Sequence, residues 1–333
     1  MQNGQDPDEY LITRLQEAFA LDDRMNQLDI EIRMHHDEII LLGSVTTEER
    51  KSAATAISRE VLPEHTIVNE LRVIELNEPL LTQQDGHVRV AAVGDVHFGV
   101  DSAGQLGCHL TNLTDVADML LLAGDLTRHG DPREAEVLAN DLRTCGVPVV
   151  AVLGNHDHHR DRQDEIMQVL SDAGITTLEG TSTTIHINAT RVGIAGTKGF
   201  GGGFMGACGS EFGERIQKEF IAHSRRLAES LRTQLVQLDA DIRIALTHFA
   251  PVPDTLRGEP LEIYPWLGSY FLAEAIDEGR GNWAFHGHAH AGTECGTTPG
   301  GVPVRNVAQH VINQPFKVYN ISAHERTVLR NVY

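Results

Sequence analysis

The sequence has little of what marks a secreted, membrane-spanning or nucleic-acid-binding protein. Its 4 cysteines include no C-x-x-C pair, which disfavours a disulfide framework or a zinc ribbon. No run of about 18 apolar residues could form a transmembrane helix, and the N-terminal MQNGQDPDEY lacks the basic and apolar regions of a signal peptide. Basic residues number 27 against 47 acidic ones, and the net charge of −20 argues against a general nucleic-acid binder. We therefore expect a cytoplasmic protein with reduced thiols.

Three stretches share the pattern of a strand that is buried on both faces and ends in polar side chains. They are VRVAAVGDVHFG (88–99), with Asp95 and His97, MLLLAGDLTRHG (119–130), with Asp125, and VPVVAVLGNHD (147–157), with Asn155 and His156. The steps from Asp95 to Asp125 and from Asp125 to Asn155 are 30 residues each, which is about the length of one βαβ crossover. Three neighbouring parallel strands would then present these side chains at one edge of a sheet.

Two later stretches supply further imidazoles to the same edge. IRIALTH (242–248) ends in His248, and WAFHGHAH (283–290) carries His288 and His290. Oxygen and imidazole ligands that converge at strand ends suit a pair of hydrolytic divalent metals. The Gly-rich stretch TKGFGGGFMGACG (197–209) lacks the strand–G-x-G-x-x-G–helix pattern of a nucleotide site. We expect it to be a mobile loop, on which Lys198 could contact the substrate phosphate, although a solvated lysine is favoured.

The ordered set of motifs carries a family resemblance. The motifs are Asp95-x-His97, Gly124-Asp125-x-x-x-x-Gly130, Gly154-Asn155-His156-Asp157, His248 and Gly287-His288-x-His290. This set resembles the calcineurin-like metallophosphoesterase superfamily over residues 87–325. The resemblance implies an α/β fold, namely a four-layer α/β/β/α sandwich of two mixed sheets.

The resemblance also implies a role for each of these side chains. Asp95, His97 and His290 would hold the first metal, Asn155, His248 and His288 the second, and Asp125 would bridge both. His156 would face the departing oxygen as a general acid or as a charge stabiliser. The expected cofactors are two divalent ions, and mixed nitrogen and oxygen ligands suit Mn, Fe, Zn or Co alike.

Arg128 departs from the pattern of the family. Many relatives carry Asp or Asn at this position, where the side chain helps to orient the catalytic histidine. Either another carboxylate, such as that of Asp157, holds His156, or Arg128 itself contacts the substrate phosphate bidentately. Asp157 could instead cap the following helix. Other nearby histidines are expected at the rim or behind the ligands: His129, His158, His159 and His286.

The implied reaction is hydrolysis of a phosphoester by a hydroxide that bridges the two metals, with a phosphodiester favoured. GDLTRHG and GNHDHH resemble the bacterial phosphodiesterase-like branch more than the Ser/Thr protein phosphatases, which carry a GDxxDRG block. The small substrate stays open among a cyclic nucleotide, a nucleotide diester, a phospholipid head group and a phosphomonoester. The alternatives are a nuclease of the same superfamily, which the acidic charge disfavours, and a non-catalytic scaffold stabilised by metal, which the intact ligand set disfavours.

The N-terminal region predicts a separate small module. Residues 8–78 follow an α-β-β-α-β pattern, a Pro-containing linker spans 79–86, and the phosphoesterase domain follows over 87–333. The hairpin HHDEIILLGSV, the helix TTEERKSAATAI with its capping box from Thr46 to Glu49, and the strand TIVNELRVIEL resemble the BON domain. The resemblance implies a non-catalytic module for phospholipid or another ligand, including a protein, and a peripheral place at the membrane. A docking or oligomerisation module is the alternative.

Overall fold

The computed structural model describes residues 7–22, 24–25, 30–35, 37–45, 47–73 and 88–322. The chain divides into two compact units, Met1–Leu76 and Asn77–Tyr333, and each is described by itself. The linker predicted at 79–86 and a strand that the sequence TVLRNV predicts at 327–332 lie outside the described residues, as do His36 and Thr46.

The N-terminal unit packs two helices against short strands. Its elements are α1 (Pro7–Leu21), β1 (Glu31–His35), β2 (Glu38–Leu42), β3 (Ser44–Val45), α2 (Glu48–Val61), β4 (Thr66–Asn69) and β5 (Arg72–Val73). Strand β2 pairs antiparallel with β1 and parallel with β4. Because side chains alternate along a strand, Ile39 and Leu41 of β2 both enter the core, where they join Phe19 of α1 and Ile57 of α2.

Two local predictions in this unit are corrected by the structure. Helix α2 is capped by Thr47, whose Oγ1 accepts the N–H of Arg50 at 3.2 Å, one residue after the predicted cap at Thr46. The returning strand of the predicted hairpin, which the pattern EIILLGSV extends over 38–45, is divided at Gly43, which has a φ of 123°. As a result β2 pairs with β4 whereas β3 pairs with β5.

The second unit contains two large sheets flanked by helices. Its elements in chain order are β6 (Val88–Val93), α3 (Gly107–Leu110), α4 (Leu113–Val116), β7 (Met119–Ala123), α5 (Pro132–Leu142), β8 (Val149–Val152), α6 (Gln163–Asp172), β9 (Thr176–Thr177), β10 (Thr181–Ile187), β11 (Thr190–Thr197), β12 (Gly203–Phe204), β13 (Ala207–Cys208), α7 (Arg215–Gln237), β14 (Ile242–Thr247), α8 (Tyr264–Leu267), α9 (Tyr270–Glu278), β15 (Trp283–His286), β16 (Cys295–Thr297), β17 (Pro303–Asn306), α10 (Gln309–Ile312) and β18 (Lys317–Ile321).

The strand order brings the predicted motifs together. The first sheet has the order β18-β6-β7-β8-β9 and the second β10-β11-β14-β15-β17-β16. Strands β6, β7 and β8 pair in parallel, as the 30-residue spacing predicts. Their carboxyl ends therefore lie side by side at one edge of the first sheet.

Both faces of the first sheet are buried, which explains its long apolar runs. In β7, Leu120 and Leu122 belong to a cluster that includes residues of α5 and α6, whereas Leu121 lies between the two sheets. On the outer face of the second sheet a third cluster includes Leu231 of α7 and Phe271 of α9. Since burial of each such side chain contributes about 1.5–3 kcal/mol, the layers hold together mainly through these cores. Their order is α/β/β/α, as the resemblance implies.

The pattern of residues 211–239 predicts one or two helices, and the structure has the single helix α7 there. The Gly-rich stretch contains the hairpin of β12 and β13, and the N–H groups of Gly202 and Gly203 donate to the carbonyls of Pro265 and Gly268 at 2.7 and 2.9 Å. Throughout the described ranges, no helix has both the length and the apolar character needed to cross a bilayer.

Candidate active site

Four of the predicted site residues adopt a left-handed backbone just beyond strand ends. Asp95, His97, Asp125 and His288 have φ values of 59°, 43°, 48° and 71°, a region that costs non-glycine residues of order 1 kcal/mol or more. Hydrogen bonds hold the turned backbone, because the N–H of Asp95 donates to the carbonyl of Gly124 at 2.9 Å and that of His97 to the carbonyl of Asp125 at 3.0 Å. The strain is thus concentrated where the polar side chains meet.

Two glycines allow the strand ends to approach each other closely. A Cβ added at Gly154 would collide with the carboxylate of Asp125, and one added at Gly287 would collide with the carboxylate of Asp95. Only glycine leaves room for these contacts. This requirement gives the Gly-Asn-His and Gly-His motifs a physical reason.

Asp95, His97 and His290 form the first group of ligand atoms, all of which lie within 4.8 Å of one another. His290 Nε2 lies 2.9 Å from Asp95 Oδ1. The N–H of His288 donates to both carboxylate oxygens of Asp95, at 3.0 and 2.9 Å. The loop after β15 is therefore fastened to the end of β6.

Asp125, His248 and His288 form a second such group. His248 Nε2 lies 3.3 Å from Asp125 Oδ1 and 2.9 Å from Asn155 Oδ1, so Asn155 joins this group. His248 Nδ1 lies 2.9 Å from the carbonyl oxygen of Ala123. With the proton of the neutral ring on Nδ1, which donates to this carbonyl, Nε2 and Asn155 Oδ1 both present lone pairs to the group, as two ligands of one cation would.

Asp125 lies between the two groups. Its carboxylate oxygens are 3.7 Å from His97 Nε2 and 3.3 Å from His248 Nε2, and the residue is 1% exposed. One carboxylate at this position can reach both sets of imidazoles.

The electrostatics of the site fit divalent cations. Burial raises the pKa of Asp125 well above its ordinary value, and the charges of Asp95 and Asp157 raise it further. Burial lowers the pKa of His248 well below its ordinary value and that of His288 to about 3, so both rings are neutral, as metal ligands must be. Among the described residues, neither Asp95 nor Asp125 has a Lys or Arg within 4.0 Å. Buried carboxylates with neutral imidazoles around them call for cations from outside the chain.

His156 follows Asn155 in a short 3₁₀ turn, His156–His158. Its N–H donates to Asp125 Oδ1 at 2.8 Å, and its Nδ1 lies 2.9 Å from the carbonyl oxygen of Arg128. Its Nε2 lies 3.9 Å from Asp125 Oδ2. The ring is thus anchored through Nδ1, and Nε2 is the nitrogen near the ligand groups.

Asp157 binds main-chain groups, so the structure does not support the alternative in which its carboxylate holds the His156 ring. Its carboxylate accepts the N–H groups of Leu126, Thr127 and Gly154 at 3.2, 2.8 and 2.7 Å, and the Thr127 hydroxyl at 2.6 Å. The ring contact expected of it is made by the carbonyl of Arg128. Asp157 instead ties the segment after β7 to the segment after β8.

The side chain of Arg128 is 6% exposed and forms an ion pair with Asp101 at 3.0 Å. This pair lies over Gly99, where an added Cβ would meet both side chains. Arg128 therefore has two contacts: its carbonyl oxygen accepts from the His156 ring, and its guanidinium lies beside Gly99, at the end of the stretch 88–99.

Two of the other histidines contact neighbouring side chains that are not part of the ligand groups. His129 Nδ1 lies 2.6 Å from Glu134 Oε1. His286, expected to share a face with His288 on one strand, is the last residue of β15; it lies beside Thr255, with 2.8 Å between His286 Nε2 and Thr255 Oγ1. This contact agrees with the expected place of His286 behind the ligands, whereas the shared face is not observed, because the chain leaves the strand at Gly287 and the alternation ends there.

Lys198 differs from the favoured interpretation of the sequence. The prediction of a solvated lysine is wrong, because Lys198 is 9% exposed and burial lowers its pKa. The position of Lys198 directly after β11 could have indicated its burial. Strand β11 pairs in parallel with β14 and ends level with Thr247. Lys198 thus stands beside His248 at the same sheet edge.

Comparison with known proteins identifies the family. The sequence model of the calcineurin-like phosphoesterases matches residues 88–292, and that of the BON domain matches residues 7–75. The chain is a calcineurin-like phosphoesterase. The His and Asp groups of this family member could hold the divalent metals typical of the family.

Individual relatives cover different shares of this phosphoesterase. Over 78 residues it is 37% identical to a "probable cyclic nucleotide phosphodiesterase" of Synechococcus sp., a match of 20% of the chain and 31% of that protein, so the match spans about a third of the relative. The phosphopantetheinyl hydrolase of Mycobacterium tuberculosis superposes with a TM-score of 0.54 at 16% identity, over 71% of this chain and 97% of that one. At this identity the likeness shows a shared fold alone.

Proposed function

We propose that the protein is a phosphodiesterase that uses two divalent metal ions to hydrolyse a small phosphodiester. The observation that carries the proposal is the place of one buried carboxylate, that of Asp125, between two groups of imidazoles. Such a carboxylate can hold two cations about 3.5–4 Å apart, which is the spacing of two-metal hydrolytic sites. The name of the Synechococcus relative, a cyclic nucleotide phosphodiesterase, supports the preference for a diester.

The residues divide between two positions. Asp95, His97 and His290 would hold the first ion, Asn155, His248 and His288 the second, and Asp125 would contact both. The contacts of His290 with Asp95 at 2.9 Å and of His248 with Asn155 at 2.9 Å support this division. The mixed donors suit Mn, Fe, Zn or Co. When bound, the ions would supply Lewis acidity to the phosphoryl oxygens and lower the pKa of a water for in-line attack.

His156 would serve the departing oxygen. Because the carbonyl of Arg128 accepts from Nδ1, the neutral ring carries its proton there, and Nε2 carries one only in the imidazolium form. A proton on Nε2 can pass to the leaving alkoxide, and a positive ring also stabilises the charge that develops.

Metal removal is the direct test of the function. Stripped with chelator, the protein should lose hydrolysis of bis(4-nitrophenyl) phosphate, and Mn²⁺ should restore it. Turnover of 4-nitrophenyl phosphate alone would change the assignment to a phosphomonoesterase. No hydrolysis with either ester and Mn²⁺, Fe²⁺, Zn²⁺ or Co²⁺, together with chelator-sensitive folding, would favour the scaffold alternative. Cleavage of DNA in place of small esters would favour the nuclease.

Arg128→Ala should lower kcat/KM for the diester about tenfold, because a guanidinium that reaches a phosphate makes a charge-assisted bond. The main-chain carbonyl of residue 128, which holds the His156 ring, is unchanged in this variant. A lower kcat/KM would therefore be due to the loss of the guanidinium. Asp101→Asn is the matched control: it weakens the ion pair but keeps the guanidinium, and we expect a smaller loss. Unchanged kinetics in Arg128→Ala would reduce Arg128 to a structural residue.

The N-terminal BON domain is proposed as a separate binding module for phospholipid or a protein. We propose domain limits of 8–78 and 87–333 with a linker at 79–86, which the division of the chain between Leu76 and Asn77 supports. A peripheral place at the membrane through this module remains a prediction.

A further inference from the structure

Lys198 is the buried lysine among the 4 that the sequence contains. Lys218 is exposed on α7, and Lys317 pairs with Glu294 at 2.7 Å. The Lys198 ammonium lies over the rings of Phe200 and Phe249, at 5.1 and 5.8 Å from their centres. Within the part of the chain that the structure describes, it has no ion pair and no hydrogen bond. Aromatic faces only partly compensate the ammonium of a residue that is 9% exposed. The charges of Glu179, Asp125 and Asp157 act on Lys198 without forming an ion pair with it, so this position can take an anion from outside the chain.

The acidic side chain next to Lys198 does not supply that anion. Glu179 Oε1 accepts the main-chain N–H of Lys198 at 3.0 Å and the hydroxyl of Thr197 at 3.2 Å. Its Oε2 is buried and has no hydrogen-bond partner among the described residues. Glu179 therefore holds the backbone at the end of β11 and leaves the ammonium unpaired.

Two histidines lie near the same ammonium. His158 Nε2 is a buried atom without a hydrogen-bond partner in the described residues, and the ring of His223 packs edge-on against Phe200 with 4.9 Å between centres. Phe200 contacts both His223 and the Lys198 ammonium, whose Nζ lies 5.1 Å from the Phe200 ring centre. The charge of Lys198 also contributes to the lowered pKa of His158 and His223. An imidazole near an ammonium adds a donor that suits an oxyanion.

This donor set adjoins the second group of ligands. The Lys198 carbonyl accepts the N–H groups of His248 and Phe249, both at 3.0 Å. The ring of Phe249 lies 4.3 Å from the ring of His288, centre to centre, so one aromatic ring separates the ammonium from a proposed metal ligand. A phosphoester held at the metal centre could extend a second group past Phe249 to Lys198.

We propose that Lys198 binds a second anionic group of the substrate, a carboxylate or a phosphoryl group, in a subsite beside His248 and His288. The proposal rests on the proposed phosphodiesterase function and names its substrate class, a diester with an additional negative charge on the part that is not attacked. Phe200 and Phe249 form the walls of the subsite, and His223, packed against Phe200, is a further donor beside it.

Two matched diesters test the subsite in the metal-restored full-length protein. One is bis(4-nitrophenyl) phosphate, and the other is 4-carboxyphenyl 4-nitrophenyl phosphate, in which a carboxylate replaces one nitro group. Both release 4-nitrophenolate. We expect the wild type to prefer the carboxylate diester, and Lys198→Met to reduce that preference in kcat/KM about tenfold to a hundredfold, mainly through KM. Lys198→Arg should retain part of the preference, and Lys218→Met, on an exposed lysine, should retain all of it.

Three results would overturn the proposal: no preference in the wild type, an unchanged preference in Lys198→Met, or the same preference lost in Lys218→Met. If Lys198→Met does not fold, the comparison of Lys198→Arg with Lys198→Gln takes its place. If the wild type hydrolyses neither diester, the proposed function fails, and calorimetric binding of the two diesters to the metal-loaded wild type and Lys198→Met still decides the subsite. Equal affinities of the wild type and Lys198→Met for the carboxylate diester would refute the subsite.

Discussion

Asp125→Asn should lower metal-dependent kcat/KM about a thousandfold or more while the fold persists. Asparagine has the size of aspartate and keeps the oxygen that accepts the His156 N–H at 2.8 Å, but it lacks the charge between the two groups of imidazoles. Charge stabilisation at a two-metal site supplies several kcal/mol, and each 1.4 kcal/mol or so is a factor of ten in rate. Diester hydrolysis and metal content by mass spectrometry, measured on the same samples, check the expectation.

Thermal melting separates the loss of charge from a loss of structure. The charged form of Asp125 is disfavoured in the metal-free protein, because burial and then the charges of Asp95 and Asp157 raise its pKa. A carboxyl whose pKa is raised on folding contributes its full stability below the unfolded pKa of about 4 and loses it as the pH rises through the folded pKa. Without metal, Asp125→Asn should therefore melt higher than the wild type, and the difference should grow with pH.

The matched control is Asp115→Asn, which changes an exposed carboxylate on α4. It should leave the metal content, the rate and the pH dependence of melting as in the wild type. Full metal binding and near-wild-type turnover in Asp125→Asn would contradict the place of Asp125 between the ions.

The predictable part of the molecule is the part that local sequence encodes. Apolar runs buried on both faces specify β6, β7 and β8, and the 30-residue spacing specifies their parallel order. Asp95, Asp125 and Asn155 reach one edge because each follows such a run. Glycine at 154 and 287 reports the close approach of carboxylates from other strands, although the partners in that approach become visible only in the structure.

The parts that the sequence does not specify depend on contacts between distant segments. An alternating pattern would place His286 and His288 on the same face of one strand. The strand ends at His286, however, and with its φ of 71° His288 no longer follows that alternation. Lys198 looks solvated in a Gly-rich stretch, yet aromatic rings from its own loop and from the residue after His248 cover it. The His156 ring is held by the carbonyl of Arg128, and the Asp157 carboxylate accepts the main-chain N–H groups of Thr127 and Gly154 instead. No local pattern encodes these pairings.

His156→Gln should lower kcat about a hundredfold to ten-thousandfold while both ions stay bound. The ring is anchored by the carbonyl of Arg128 at 2.9 Å and reaches the site through Nε2, 3.9 Å from Asp125 Oδ2. His97, Asp125 and His156 also form a group that could hold a metal, so metal content is the measurement that separates the two roles. Loss of one ion in His156→Gln would make His156 a ligand. His159→Gln, which changes the ring lying 4.3 Å from that of His156, is the matched control and should retain most of the rate.

The dependence on the leaving group gives the sharper test of His156. Proton donation helps most when the departing oxygen is basic, because a poor leaving group carries more negative charge in the transition state. Methyl 4-nitrophenyl phosphate and methyl phenyl phosphate differ in this respect and share the attacked phosphoryl group. The loss of kcat in His156→Gln should therefore be at least about tenfold larger for the phenyl ester than for the nitrophenyl ester. Equal losses on the two esters would mean that His156 stabilises charge elsewhere on the phosphoryl group and donates no proton to the leaving oxygen.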